Sequence, residues 1–218
     1  MQAKTFAVVC FALLSLALLA PHPALAGPVE SSVWIEVERA DGVFFKGHRL
    51  PREGIGAGVM LFSREVVTAA HVVFGANKVS VAGGNGPPIA AKIVSIDENI
   101  DVAVLELERP RPFLAAIRKD AVVVGERVSV VERPVEPNTP TLSYGVVGTT
   151  HYISNGVAVP LIFTGIKGEK GMSGGGLFDR NGALVGIIIR IDGTLGYLSA
   201  LPITEFCARL ARCGSGAR

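Results

Sequence analysis

Three short segments hold residue types that together can break an acyl bond. The first is Val66-Val67-Thr68-Ala69-Ala70-His71, an apolar run ending in a histidine. The second is Asn99-Ile100-Asp101-Val102-Ala103-Val104-Leu105, an acid at the mouth of another apolar run. The third is Gly171-Met172-Ser173-Gly174-Gly175-Gly176, a serine inside a glycine cluster. Each alone has an ordinary structural explanation: a strand-end histidine, a turn aspartate, a loop serine. The chemistry needs all three. A seryl hydroxyl is a weak nucleophile at neutral pH and requires an adjacent base. An imidazole can take that proton and return it to a leaving group. A carboxylate behind the imidazole sets its tautomer and stabilises the imidazolium. Glycines around the serine allow a tight turn and leave room for a substrate carbonyl. The N–H groups of Gly171 and Ser173 can then face a developing oxyanion, an interaction worth ~3–4 kcal/mol per donor. His71, Asp101 and Ser173 are therefore the candidate base, orienting acid and nucleophile. Asp97 competes as the acid, but a charged and polar stretch follows it, not an apolar strand.

Something must carry these groups to one place, and the chain is built for short strands. Of its 218 residues 26 are glycine and 13 proline, a composition that turns often. Hydrophobic residues make up 49% and charged residues 18%, which excludes a disordered chain. Apolar or alternating runs predict strands at 32–38, 58–62, 66–69, 78–81, 89–95 and 102–107. After a gap come 127–132, 143–150, 159–164, 176–178, 183–191 and 195–200. Asn181-Gly182 is a hairpin signal. One late helix is expected over Ile203–Ala211, with Pro202 at its start and Ile203, Phe206 and Leu210 on one face. The proline-rich stretch from Glu108 through Pro110 and Pro112 to Asp120 reads as a linker. Two groups of about six strands joined by a linker predict two packed six-stranded antiparallel barrels, an all-β fold.

The N-terminus reads as an export signal over residues 1–26. Lys4 is followed by an uncharged apolar run to Ala20, then Pro21, Pro23 and the small-x-small Ala24-Leu25-Ala26. The run is short for a membrane span, so no membrane association is expected after signal removal. The expected organisation is signal peptide 1–26, first barrel 27–112 and second barrel 113–218. Export permits a disulfide between Cys207 and Cys213, provided the helix ends before the second cysteine. The formal net charge of +2 gives no field that draws in nucleic acid. His48 and His151 have no partners at ligand spacing, so no metal is expected. The glycines from Gly54 to Gly58 are not followed by a helix as a dinucleotide loop requires, and no cofactor is expected.

The order His71, Asp101, Ser173 and the surrounding motifs resemble the trypsin/chymotrypsin-like serine proteases. The similarity is greatest to secreted bacterial members, including HtrA-type protease domains. Thr68–His71 matches the family's T-A-A-H. Asp101–Leu105 matches its D-[I/V/L]-A-[V/L]-[L/I], and Gly171–Gly175 its G-x-S-G-G. Gly56-Ala57-Gly58-Val59 is similar to the opening G-S-G, and Asn181–Ile187 to the hairpin after the serine. The resemblance runs from about Ile35 to Leu201. It implies a periplasmic or secreted endopeptidase acting on polypeptides through an acyl-enzyme. It also implies substrate-binding residues at Lys167 and at Ile189, Arg190 and Ile191. Lys167 stands where a trypsin-like pocket carries an acid, which argues against Arg or Lys preference and for an acidic side chain.

The chain departs from the family in places. Met172 replaces the acid that digestive members place before the serine, so activity is expected without N-terminal processing beyond signal removal. The few residues after Leu201 leave no room for a PDZ domain. A G-x-S-x-G elbow of the α/β-hydrolase type would require a histidine after the serine, and none follows Ser173. A subtilisin order would need an aspartate motif before His71, and Asp41 sits in none. The alternative is a protein-binding or chaperone-like module that keeps the barrels without turnover.

Overall fold

The structure is a computed structural model that describes residues 24–83, 86–134, 139–192, 194–210 and 213. Most of the expected export signal (residues 1–23) and Ala211, the expected last helical residue, lie outside the described residues. The chain runs β1 (Ala24–Ala26), α1 (Pro28–Ser31), β2 (Ser32–Arg39), β3 (Phe44–Phe45), β4 (His48–Arg49), β5 (Glu53–Phe62), β6 (Glu65–Ala69), α2 (Ala70–Val73), β7 (Ala76–Gly83), β8 (Gly86–Asp97) and β9 (Val102–Leu107). It continues through β10 (Phe113–Ala115), β11 (Arg127–Val131), β12 (Leu142–Ser154), β13 (Val157–Lys167), β14 (Gly176–Asp179), β15 (Leu184–Ile191), β16 (Tyr197–Pro202) and α3 (Ile203–Leu210). Two closed barrels result, β2-β5-β6-β9-β8-β7 and β11-β12-β13-β16-β15-β14.

Closure explains the apolar runs. In β9, Ala103, Leu105 and Leu107 point into the first barrel's core, where they meet Val33, Ile35, Val37, Val66 and Val81. Val102 and Val104 point the other way, into a second core with Val59, Val67, Phe178, Leu184, Ile187 and Phe206. That second core lies between the barrels. β15 repeats the arrangement: Leu184 and Ile187 face the seam, while Val185 and Ile188 face the second barrel's interior with Val128, Val130, Ile162 and Leu177. A strand buried on both faces has no polar side, so its sequence reads as a continuous apolar run. Each such side chain removed from water contributes about 1.5–3 kcal/mol.

Four features differ from the expectations, the first being the short helix α1 over Pro28–Ser31. The linker contains a strand: β10 pairs in parallel with β1, Leu25 opposite Leu114. A short hairpin, β3–β4, precedes β5 and pairs Phe45 with His48. The His71 segment leaves the sheet as a single helical turn, α2. The C-terminal helix α3 buries Ile203 and Phe206 in the seam. It ends early enough for Cys207 and Cys213 to be bonded, with Cα atoms 5.0 Å apart. No helix among the described residues is long and apolar enough to cross a membrane.

Candidate active site

Asp101 organises the His71 segment. It occupies the turn into β9 at φ +57°, a left-handed conformation that aspartate tolerates better than most residues. From there its backbone carbonyl accepts the Ala70 N–H (3.1 Å). Its Oδ1 accepts the His71 N–H (2.9 Å), and its Oδ2 accepts from His71 Nδ1 (2.8 Å). The first N–H groups of a helix have no partner within it, and Ala69, at the N-cap, gives no side-chain bond. Asp101 supplies acceptors for two of them, Ala70 and His71, which favours a helical turn starting at Ala70. The carboxylate accepts only, so His71 carries its proton on Nδ1 and presents Nε2 as an acceptor. The side chains of His71 and Asp101 are 29% and 15% exposed, open enough for a substrate and closed enough to strengthen the pair. Phe45 packs beside the imidazole, ring centroids 6.3 Å apart.

Backbone bonds across the seam hold the Ser173 loop against β5, whose neighbour β6 leads into His71. The Ser173 carbonyl accepts the Ala57 N–H of β5 (2.8 Å), and Gly174 N–H donates to Ile188 (2.7 Å). Thr68, three residues before His71, donates its hydroxyl to the Ala57 carbonyl (2.7 Å). Gly174 is pressed onto this junction at φ +87°. A Cβ there would overlap Thr68 Oγ1 and the Ala57 carbonyl and lie 2.8 Å from Ala69 N. Within the loop, Met172 N–H donates to Glu169 and Gly175 N–H to Met172. Among the described residues the N–H groups of Gly171 and Ser173 have no acceptor, although Gly171 is buried. Buried N–H groups without partners are uncommon. Here they alternate with bonded ones on the loop that carries the serine.

The other residues singled out from sequence have the following surroundings. Asp97 accepts the N–H groups of Asn99 and Ile100 and serves its own turn. Lys167 is exposed; its ammonium donates to the Leu195 carbonyl (2.6 Å) and lies 4.1 Å from the Tyr197 ring centroid. Ile189 packs against the first-barrel and seam cores, Arg190 is exposed and Ile191 is half-buried against the second-barrel core. His48 and His151 are exposed. Among the described residues no cluster of three or more His, Cys, Asp or Glu could hold a metal ion. One residue escaped the sequence reading. Arg39 is buried behind α2, and burial lowers its pKa from the ordinary guanidinium value. The alternation of β2, with Glu36 and Glu38 out and Val37 in, is the signal that points position 39 inward.

The arrangement pairs an imidazole with a carboxylate and holds the serine loop, with two amide N–H groups that lack acceptors among the described residues, against the strands that lead to that imidazole. Comparisons with known proteins agree with that architecture. The chain is 30% identical over 164 residues to a probable periplasmic serine endoprotease, DegP-like, of Halomonas elongata, covering 72% of this chain and 35% of the relative. It is 28% identical over 213 residues to the periplasmic pH-dependent serine endoprotease DegQ of Escherichia coli, covering 84% and 46%. It thus spans about a third to a half of the length of these relatives. The active form of the Rv3671c protease from M. tuberculosis superposes with a TM-score of 0.72 at 21% identity, covering 100% of this chain and 96% of the other. That similarity speaks to the fold. A family model described as the trypsin-like peptidase domain matches residues 56–187, a span that contains His71, Asp101, Ser173 and the strands that hold them. The chain belongs to the trypsin-like peptidase domain family.

Proposed function

We propose that the chain is a serine endopeptidase in which Ser173 is the nucleophile, His71 the general base and Asp101 the residue that orients it. His71 Nε2 takes the Ser173 Oγ proton as Oγ attacks the scissile carbonyl. The oxyanion is received by the N–H groups of Gly171 and Ser173. His71 then gives the proton to the leaving amine, and a water molecule repeats the sequence to release the acyl group. The observation that carries this reading is the two-point hold of Asp101 on His71, at its backbone N–H and its ring. Relatives named as periplasmic serine endoproteases support it. Their periplasmic names favour export; we further propose residues 1–26 as the cleaved signal and barrel domains at 27–112 and 113–218.

A fluorophosphonate probe tests the proposal. Wild-type protein is expected to be labelled at Ser173 and to clear casein on a zymogram. Ser173→Ala is expected to lose both. Labelling that survives the substitution would refute the assignment, and a folded wild type that is neither labelled nor active would point to a binding module.

A further inference from the structure

Arg39 ends β2 and is only 5% exposed. A buried cation ordinarily needs a carboxylate partner. Among the described residues Arg39 has no such ion pair, and its side-chain hydrogen bonds all go to backbone carbonyls. Nε donates to Phe74 (2.9 Å), Nη1 to Pro51 (3.2 Å) and Nη2 to both His71 (3.3 Å) and Val72. Three of these four acceptors lie on α2 or the residue that caps it. The last carbonyls of a helix have no partner within it, and they carry partial negative charge. Arg39 therefore closes the carbonyl end of the same turn whose N–H end Asp101 closes. His71 is held from both sides: its N–H and ring by a carboxylate, its carbonyl by a guanidinium. The neighbouring strand makes room for this. At Gly54 a Cβ would lie 2.5 Å from Arg39 Nη1 and 2.9 Å from Val37 Cγ2.

We propose that Arg39 is a positioning residue for His71, its guanidinium clamping the carbonyl end of α2 so that the imidazole is held where Ser173 needs it. This rests on His71 being the general base. A planar fork with five donors can serve three directions at once. An ammonium offers fewer donors and no fixed plane. A positioning role acts on the chemical step, not on substrate capture, because Arg39 lies behind the helix. Misplacing a reacting group by about 1 Å costs ~100-fold in rate.

The test uses the full chain and two readouts. One is the split between kcat and KM on a peptide substrate. The other is the downfield proton signal of His71 Nδ1–H, which reports its charge-assisted bond to Asp101 and needs no turnover. Arg39→Met is expected to keep KM and lower kcat by roughly 10- to 100-fold, with the imidazole signal broadened or displaced. Arg39→Lys is expected to recover part of kcat. Gly54→Ala leaves the arginine in place but pushes on its guanidinium. It should move both readouts in the same direction, and it stands in if Arg39→Met does not fold. A folded Arg39→Met with wild-type kcat and signal would overturn the proposal, as would a loss confined to KM. Wild-type protein without Ser173-dependent turnover would refute the endopeptidase reading instead, and the imidazole signal would then decide the Arg39 clamp by itself.

Discussion

Asp101 adopts a backbone conformation that costs most side chains about 1–2 kcal/mol, and strain of this kind persists where the surroundings over-determine it. Here they do: one carboxylate and one carbonyl receive Ala70 N–H, His71 N–H and His71 Nδ1–H. Asp101→Asn keeps the size and one acceptor oxygen but offers an amide donor toward the ring, which favours the wrong tautomer. The expected result is a fall in kcat of about four orders of magnitude with the far-ultraviolet circular dichroism unchanged. His71, Asp101 and Ser173 stand out in the sequence as candidates because taking a proton from a serine restricts which residue types can serve. Arg39 does not. Its partners are carbonyls, which have no side-chain identity, so only the in–out alternation of β2 marks it.

Elements buried on both faces, such as β9 and β15, were legible because their apolar runs have no polar side to confuse the reading. Two of the elements that were missed, α2 and β10, depend on partners far away in the chain. Ala70-His71-Val72-Val73 carries two β-branched residues and reads as more strand; Asp101, 30 positions after His71, favours the helical turn α2. Phe113–Ala115 lies among prolines and pairs with Ala24–Ala26, the last residues of the proposed signal, so cleavage after Ala26 would leave this strand without its partner. The Ser173 loop gives the sharpest test at this scale, because it is welded to β5 and β6 with no space between. Gly174→Ala would place a methyl on the Ala57 carbonyl in a backbone conformation alien to alanine. It is expected to cost more than about 1 kcal/mol of stability and to abolish fluorophosphonate labelling, measured by denaturant unfolding and by probe incorporation.

For the molecule as a whole, the segment between the barrels is laced onto the second one. Leu184 N–H donates to Ala116 and Arg118 N–H to Leu184, while the Arg118 guanidinium grips Glu126 and lies 3.6 Å from Asp179. The Glu126 carboxyl is held below its ordinary pKa, chiefly by that bond from Arg118 and further by the Val123 N–H. Glu132 shifts the same way through the hydroxyls of Ser143 and Thr141. Folding therefore favours the ionised forms. Their stabilisation is complete above the unfolded glutamate value of about 4.3 and is lost as pH falls through the lowered folded values. Glu126→Gln should flatten the acid limb of a Tm-against-pH curve. Reducing the Cys207–Cys213 bond, which closes a loop with a separation of 6 residues, should destabilise the fold by about 2 kcal/mol, read as a lower Tm in dithiothreitol. The seam between the barrels has a temporal side as well. A chain that emerges N-terminus first completes the sheet bearing His71 and Asp101 long before Ser173 appears. Gly174 and the Ser173 carbonyl find their places only when the later half docks against Ala57 and Thr68. On the proposed reading a nascent chain has no placed nucleophile until its later half has docked, so its own folding sets the moment at which it can first cut a peptide.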